Sequence, residues 1–493
     1  MKRFFSTLLA KYRSLSVPVK ASFFFIFCGA FKDLVDVIAT PIFTRILTTD
    51  EYGLFTIYNS WYQIVRIFTT LGLYLDGFNV GMSRFDDDHE GYVSSQQGLL
   101  TFMLSIWTVG CFAFHRQLDG LFQLGPALLF LMLAQSLFSA CYAFWYQKSR
   151  YTYKYVLLTI VTLIYTTMQP LLGIMCIKHN SFGLDNGVLR IYTGVGVQIA
   201  AGVITFVIQF IRKPVFFRKK YWVFGLKTNI VLLPYFLSQI VLNQSDKLMI
   251  ERFWDKSKSA IYSVAHSAAF VIFVIVSNLN STLIPWLYSK LKARNYTGIK
   301  RIINILVLLA AISVAALVLI APEAMKIMGG GDYYEGLWVI PPLTYSVYLI
   351  FVYMLFSNIE LYYGKNSFVL ISSVIGTAAN LLLNYWFIPI YGFIASGYTT
   401  MASYIIICIC HYLFLCITCK KSDVSVSQLF DIRTIVGIST VLAVICTAIM
   451  LLYNTHSAIR YILLLAVLFI LFIRRRSLIQ LYKDLKKKMM VIH

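Results

Sequence analysis

The sequence predicts an all-α membrane protein with about fourteen transmembrane helices, arranged as two pseudo-symmetric six-helix bundles plus two extra C-terminal helices. The first observation behind this prediction is composition. The 493 residues are 59% hydrophobic and only 13% charged, whereas soluble domains are about 45–50% apolar and about 25% charged. The second is that the apolar runs are continuous, as in membrane helices, and do not alternate as barrel strands do. The third is a weak internal repeat.

Hydropathy and flanking charge predict the individual spans. The spans cover residues 18–47, 53–82, 92–114, 124–146, 153–178, 188–212, 226–250, 258–288, 301–326, 335–362, 367–388, 393–418, 434–454 and 459–474. A proline within a span or at its end is expected to kink or break the helix. The prolines concerned are Pro41, Pro170, Pro234, Pro285, Pro341 and Pro342.

The internal repeat relates the two halves at an offset of 207 residues. Equivalent pairs include Lys20 with Lys227, Arg45 with Arg252, Lys32 with Gln239 and Asp36 with Asn243. Six spans separate the equivalents, so the lobes share one orientation, which is typical of transporters that bind substrate near mid-membrane. The predicted domains are an N-terminal lobe (1–215), a C-terminal lobe (216–420), and a segment of two extra helices with a basic cytoplasmic tail (421–493).

The distribution of basic residues predicts the orientation of the chain. With both termini in the cytoplasm, 31 of the 43 Lys and Arg residues fall on the cytoplasmic side and 9 fall outside, as the positive-inside rule requires. Topology therefore explains the formal charge of +22, and nucleic acid is not an expected partner. No small-residue cleavage site follows the basic segment 1–16, so no removable signal peptide is predicted.

The sequence shows no catalytic or metal-binding constellation, and the protein is predicted not to be an enzyme. The G-x-S-x-G, P-loop and H-E-x-x-H patterns are missing. The acidic turn 84–90 is predicted to be a solvated loop. Metal-like spacing occurs near the end of an apolar span, where packing is the expected role and no metal is predicted. The residues concerned are Cys408, Cys410, Cys416, Cys419 and His411.

Charged residues inside the first span predict a polar lumen. Lys32, Asp33 and Asp36 lie in a stretch of membrane-spanning length. Each charge at mid-bilayer depth costs about 2.5–3.5 kcal/mol, even on lenient insertion scales. Lys32 and Asp36 are four residues apart and so share a helix face. A helix tolerates this cost when the charged face is turned toward protein or a wet cavity, although a neutralised Lys32–Asp36 pair is an open alternative.

Polar side chains at helical spacing in other spans extend the predicted lumen. The predicted substrate-binding residues are Arg66, Lys247, Lys32, Asn59, Gln63, Asn243, Gln239, His266 and Asn380. Arginine is always charged and binds phosphate oxygens in a forked geometry. For Asn380, Asn384, Gln63 and His266, a structural role in joining helices is an open alternative.

Residues 41–61, with the sequence PIFTRILTTDEYGLFTIYNSW, resemble the bacterial polysaccharide transporter family. Members of this family are lipid-linked oligosaccharide flippases of the multidrug/oligosaccharidyl-lipid/polysaccharide exporter superfamily. Segments 92–98 (YVSSQQG) and 246–265, which is the repeat equivalent, are similar to the same family. The resemblance covers most of the first twelve spans and carries no information about the glycan.

The resemblance implies two six-helix bundles around a cavity that opens alternately to each side of the bacterial inner membrane. The implied substrate is an undecaprenyl-pyrophosphate oligosaccharide used in surface polysaccharide (O-antigen, lipopolysaccharide) biosynthesis. Polysaccharide polymerase and chain-length machinery are implied partners, besides the bilayer itself. Asp36, Asp33, Asp246 and Glu360 are candidates for coupling to an H⁺ or Na⁺ gradient, with the membrane potential as a further energy source. No cofactor is expected.

Two other functions remain open at this point. A cation-coupled multidrug antiporter of the same superfamily would use acidic residues to hold a cationic drug, so the net charge of the lumen discriminates it from a flippase. A membrane glycan polymerase or ligase would need a large external loop, and the longest predicted external loops are about a dozen residues.

Overall fold

The computed structural model describes residues 16–180, 183–454, 457–466 and 469. In chain order the helices are α1 (Val17–Ile46), α2 (Thr49–Thr70), α3 (Asp76–Arg84), α4 (His89–Ala113), α5 (His115–Phe122), α6 (Pro126–Tyr151), α7 (Tyr155–His179), α8 (Asn186–Arg212) and α9 (Lys219–Phe253). They continue with α10 (Lys256–Lys292), α11 (Ile299–Leu319), α12 (Ala321–Met328), α13 (Ile340–Tyr362), α14 (Asn366–Tyr391), α15 (Ala395–Lys421), α16 (Val426–Leu429), α17 (Ile432–Leu451) and α18 (Ser457–Ala466).

The predicted all-α membrane class is confirmed. No strand occurs in the described ranges, and each of the fourteen predicted spans contains a helix. Ten of the described helices are long and apolar enough to cross a membrane, and α4 with α5, which meet at 89°, would form an eleventh. The N-terminal segment, the end of the last span and the basic tail lie outside the described residues, and the orientation of the chain stays a prediction.

The second predicted span is wrong in one respect, because 53–82 is two helices and not one. The helix α2 ends where Leu71 and Gly72 take left-handed backbone angles, with φ of 49° and 62°. The Thr70 hydroxyl donates to Arg66 O (2.6 Å) and accepts from Gly72 N (3.3 Å), and so satisfies backbone groups at the break. The chain re-enters a helix at Asp76.

The hairpin between α1 and α2 follows from a local sequence signal. Thr48 is the N-cap of α2, and its hydroxyl accepts from Glu51 N (3.2 Å) while Glu51 Oε2 accepts from Thr48 N (2.8 Å). This reciprocal capping box satisfies two N–H groups that a helix start leaves without partners. Glu51 Oε1 also accepts from Asn186 Nδ2 at 3.0 Å, which joins the hairpin to α8.

Prolines do not break the spans as the sequence suggested. The helices continue through Pro41, Pro170, Pro234 and Pro285. The pair Pro341 and Pro342 stands in the first turn of α13, where proline costs nothing because the N–H groups of that turn have no intrahelical partner.

The chain divides into two compact units, Met1–Gln244 and Ser245–His493. The division falls within α9, whereas the predicted lobe boundary lies before that helix, and the three-domain description stays a prediction. The most buried spanning helix of the first unit is α6, and that of the second is α13. Each corresponds to the fourth predicted span of its half, in agreement with the predicted pseudo-symmetry. Each unit thus has its own central helix with the other spans around it.

The acidic turn at residues 84–90 is only partly the solvated loop that the sequence suggested. The Asp86 side chain is 77% exposed, but that of Asp88 is only 12% exposed. Asp88 accepts from Lys213 Nζ (2.7 Å), Arg218 Nη1 (2.8 Å) and Tyr221 OH (2.9 Å). It therefore binds the acidic turn to the connection between α8 and α9, because that connection carries basic groups which the turn can neutralise.

Neighbouring Glu90 makes a second set of contacts at this end of the first unit. Its carboxylate accepts from Lys148 Nζ and from Gln209 Nε2 (2.8 Å). Gln209 Oε1 in turn accepts from Lys148 Nζ at 3.0 Å. The three side chains come from α4, α6 and α8, so the ends of three spans are held together by one buried polar group.

Candidate functional site

The most informative cation of the first unit is Arg66 on α2. Its Cζ lies 4.3 Å from the ring centroid of Tyr74 and 5.8 Å from that of Tyr62, distances at which an aromatic face attracts a cation. Its Nε is buried and has no hydrogen-bond partner. Within the described chain no carboxylate forms an ion pair with Arg66. The charge is therefore held by rings and is not neutralised.

A chain of buried and half-buried hydrogen bonds joins four helices of the first unit. Tyr58 OH donates to Gln135 Oε1 (2.8 Å), Gln135 Nε2 donates to Gln198 Oε1 (3.1 Å), and Gln198 Nε2 donates to Gln169 Oε1 (3.0 Å). These residues come from α2, α6, α8 and α7. Such a network joins spanning helices to one another. Sequence reasoning missed the three glutamines, because their partners lie on other helices.

Two predicted substrate residues on α2, Asn59 and Gln63, are half-buried. Neither makes a side-chain hydrogen bond to any of the residues that the structure describes. A role of Gln63 in joining helices, which the sequence left open, is therefore not supported by a hydrogen bond to another described helix. Both side chains are thus partly accessible and have amide groups that are not used within the described part of the chain.

The charged residues of α1 lie on the surface of the first unit. Lys32, Asp33 and Asp36 are all exposed. Lys32 and Asp36 are within electrostatic reach of one another, but they form no ion pair within 4.0 Å in the described structure. A closed structural pair, which the sequence left open, is therefore not what the structure contains.

Arg190 is a half-buried cation that sequence reasoning did not identify. It lies inside the predicted span 188–212. Its Cζ lies 3.6 Å from the ring centroid of Phe55, 3.9 Å from that of Phe43 and 4.5 Å from that of Tyr52. It also acts electrostatically on Asp36. The three aromatic residues belong to segment 41–61. Their role as a cation site could not be predicted without knowing that α8 packs against this segment.

In the second unit, Asp246 on α9 is the centre of a closed polar network. The residue is 2% exposed. Its Oδ2 accepts from Tyr262 OH (2.5 Å) and Thr400 Oγ1 (2.8 Å), and its Oδ1 accepts from Asn384 Nδ2 (2.6 Å). No Lys or Arg forms an ion pair with it within 4.0 Å among the described residues, although the neighbouring Lys247 interacts with it electrostatically. A buried carboxylate whose hydrogen bonds all come from neutral donors is costly unless a proton or a cation offsets its charge.

The predicted site residue Asn380 belongs to the same network. Its Oδ1 accepts from Ser245 Oγ (3.1 Å) and Asn384 Nδ2 (3.1 Å), and its Nδ2 donates to Thr400 Oγ1 (3.3 Å). Both asparagines are fully buried. They join α14 to α9 and α15, which is the geometry expected of the structural alternative left open for Asn380 and Asn384.

The remaining predicted residues of the second unit lie around Lys247. Lys247 is half-buried, acts electrostatically on His266, and has further polar interactions. The His266 ring stacks on Phe270 with centroids 4.1 Å apart. Asn243 Nδ2 donates to Gln239 O (2.7 Å), so this amide is partly used within α9.

Glu360 has a specific partner in the interior of the second unit. Its Oε2 lies 3.0 Å from His411 Nδ1, and both residues are at most 1% exposed. The His411 ring also stacks with Tyr353, with centroids 5.3 Å apart. All nine cysteines are free, and no cluster of three or more His, Cys, Asp or Glu residues that could hold a metal occurs in the described part of the chain.

Comparison with solved structures places this architecture among transporters. The lipid II flippase MurJ in its inward closed conformation superposes with a TM-score of 0.70 at 14% identity, over 92% of this chain and 99% of the flippase. An inward-facing transporter of the multidrug resistance MATE family, from the MOP superfamily, gives a TM-score of 0.55 at 12% identity over 79% and 96%. A MATE transporter of Vibrio cholerae gives 0.50 at 14% identity over 82% and 97%.

No protein-family model matches the sequence, and no curated protein matches it either. At these identities the likeness shows the fold alone, which this chain shares with the lipid II flippase and the MATE transporters, in agreement with the fold that the resemblance of segment 41–61 implied. The site residues predicted from the sequence stay predictions.

Proposed function

We propose that this chain is a flippase that moves an undecaprenyl-pyrophosphate-linked oligosaccharide across the bacterial inner membrane by alternating access, for surface polysaccharide biosynthesis. The observation that carries the proposal is Arg66, a guanidinium inside a membrane-spanning bundle with no carboxylate partner among the described residues and a buried, unpaired Nε. A charge at this depth is costly and marks a functional site. A pyrophosphate is the anion that its forked donors fit.

The surroundings of Arg66 suit the rest of such a substrate. Asn59 and Gln63 lie on the same helix and have amide groups that are open for hydrogen bonds to sugar hydroxyl groups. The fold supports the same class of substrate, since the neighbour with a TM-score of 0.70 is a lipid II flippase. Lys247, in the second unit, is proposed as a further cation for the phosphate groups.

We also propose Asp246 as the group that couples transport to an ion gradient. Its carboxylate accepts from two hydroxyl groups and one amide N–H at a buried position. A proton would relieve the buried charge, and a hard cation would bind the same carboxylate oxygens. Coupling to H⁺ and coupling to Na⁺ remain two versions of this proposal.

The multidrug antiporter is the second candidate, and the exposed carboxylates of Asp33 and Asp36 on α1 are the observation that favours it. A cationic drug needs an accessible carboxylate, whereas Asp246 is 2% exposed and its oxygens already accept three hydrogen bonds. The accessible polar groups on α2 are a cation and two amides. A polymerase or ligase is less well supported, because the connections between the described helices are short.

Reconstitution tests the proposal directly. Proteoliposomes carry an undecaprenyl-pyrophosphate oligosaccharide in the inner leaflet, and a membrane-impermeant glycosidase reports its arrival outside. We expect Arg66→Ala to slow the appearance of the oligosaccharide in the outer leaflet by about 30-fold or more. Truncating one partner of a desolvated charge pair costs about 2–5 kcal/mol. Arg66→Lys retains the charge and should keep part of the rate.

Arg150→Ala is the matched control. Arg150 also lies over two aromatic rings, those of Phe25 and Tyr146, but it is exposed at the end of α6. It should transport at the wild-type rate. Full-rate transport by Arg66→Ala, in protein inserted as well as the control, would remove Arg66 from the mechanism.

A further inference from the structure

A groove in the second unit lies between the first turns of α11 and α17. It has a volume of about 500 Å³ and is lined by Lys300, Arg301, Asn304, Ile305, Leu308 and, from α17, Thr434 and Ile438. The two helices are neighbours and both begin at the groove. Their N-termini therefore point the same way, which concentrates positive potential at one end of it.

The polar end of the groove is cationic. Lys300 and Arg301 are exposed in the first turn of α11. Asp431, the nearest acid, already accepts from Thr434 N (3.2 Å) and Thr434 Oγ1 (2.7 Å) as the N-cap of α17. Lys300 acts electrostatically on Asp431, whereas Arg301 makes no hydrogen bond or ion pair within the residues described. One cation is thus left for an external anion.

Away from the two cations, the lining of the groove becomes apolar along the axis of α11. One turn deeper, Asn304 Oδ1 is buried without a hydrogen-bond partner. Two turns deeper, Leu308 is 48% exposed beside Ile305 and Ile438. The groove therefore runs from cations to an apolar wall over about 12 Å of helix. A glycerophospholipid presents the complementary order, from phosphate to acyl chain.

We propose that this groove binds an anionic glycerophospholipid of the bilayer. The phosphate binds Arg301 and Lys300, and an acyl chain follows Leu308 and Ile438. Basic pockets between spanning helices on the cytoplasmic side are sites for acidic head groups. The predicted orientation places the start of α11 on that side, after the basic connection from α10. The proposal does not depend on the transported substrate.

Native mass spectrometry of the full chain in mixed detergent–lipid micelles tests this inference. Phosphatidylglycerol is titrated against phosphatidylcholine at equal total lipid. The wild-type protein should retain phosphatidylglycerol preferentially. Each basic residue near an anionic lipid contributes roughly 1 kcal/mol, so the double variant Lys300→Gln/Arg301→Gln should bind it about 30-fold more weakly.

The matched control is Lys420→Gln/Lys421→Gln. It removes the same charge from exposed positions at the end of α15, on the same predicted side, and should retain the lipid as the wild type does. Leu308→Trp fills the apolar part of the groove without changing charge and should also weaken retention.

Three results would overturn the proposal. Equal phosphatidylglycerol retention in both double variants would show that the groove does not select the head group. If Leu308→Trp leaves the retention of phosphatidylglycerol unchanged, the apolar wall does not contribute and the binding is due to surface charge alone. Displacement of the lipid by millimolar inorganic phosphate, or by a short-chain polyprenyl pyrophosphate in preference to phosphatidylglycerol, would assign the groove to a free anion or to the polyprenyl lipid.

Discussion

Replacing Asp88 by Asn should loosen the connection between α8 and α9. Asn can still accept from Gly91 N, where Asp88 now accepts at 2.9 Å, so the N-cap of α4 survives. What is lost is the carboxylate charge that faces Lys213 and Arg218. The variant therefore measures the contribution of the two ion pairs separately from that of the helix cap.

The pKa of Asp88 gives the size of the effect. Burial alone would raise it, but hydrogen bonds from Lys213, Tyr221 and the Gly91 N–H outweigh burial and lower the pKa to about 2. Compared with the ordinary value of 3.8, this corresponds to at most about 2.5 kcal/mol. Solvent screening near the surface reduces the contribution to about 1–2 kcal/mol.

The sign of the pH dependence follows from the lowered pKa. Because folding favours the ionised form, the contribution is fully present above about pH 4 and is lost as the pH falls toward 2. We expect Asp88→Asn to unfold at lower denaturant concentration than wild type between pH 5 and 7, roughly 1–2 kcal/mol less stable. The difference should shrink as the pH approaches 3.

Intrinsic fluorescence during denaturant titration of the detergent-solubilised protein measures this, with Trp222 close to the cluster. Asp87→Asn is the matched control, because Asp87 is exposed in the same turn and forms no ion pair in the described structure. The reasoning fails if Asp88→Asn and Asp87→Asn are equally stable at pH 7. It also fails if the loss caused by Asp88→Asn persists unchanged at pH 3.

Three further substitutions address other parts of the chain. Asp246→Asn should abolish the dependence of reconstituted transport on an imposed H⁺ or Na⁺ gradient, and an unchanged gradient dependence would exclude Asp246 from coupling. Glu360→Leu should destabilise the second unit by about 3–5 kcal/mol in unfolding titrations, and adding His411→Leu should recover most of the loss, because an unpaired buried group costs more than an apolar pair. Gly202→Ala should lower the yield of folded protein, since its Cβ would meet Phe138 O at 2.1 Å, whereas Gly194→Ala has nothing within 4 Å and should fold normally.

The spans and the helix caps could be predicted because each depends only on residues that are close together in the sequence. An apolar run of about twenty residues must be helical in a bilayer, whatever its neighbours are. The Thr48 and Glu51 spacing likewise predicts a helix start by itself. The break at Leu71 could not be read in this way, because it depends on a left-handed conformation that non-glycine residues rarely adopt.

The polar partners could not be predicted because they are distant in sequence. Asp88 binds Lys213, 125 residues away, and the hydropathy of the acidic turn is equally compatible with solvation. Asp246 was recognised as unusual from its depth in a span, but its partners Thr400 and Asn384 are 154 and 138 residues away. Arg190 shows the same limitation, since it lies on α8 and the three rings around it belong to α1 and α2.

The burial of α13 has a consequence for how the protein is made. The helix is apolar enough to enter the bilayer by itself, yet almost all of it ends in contact with protein. Glu360 leaves the ribosome 51 residues before His411. During that interval its carboxyl group lies at the end of a span whose partner helix has not been synthesised. Insertion of α13 and its enclosure in the second unit are therefore separate events, and a nascent chain that stops before α15 would hold an acid that quality-control proteases can recognise.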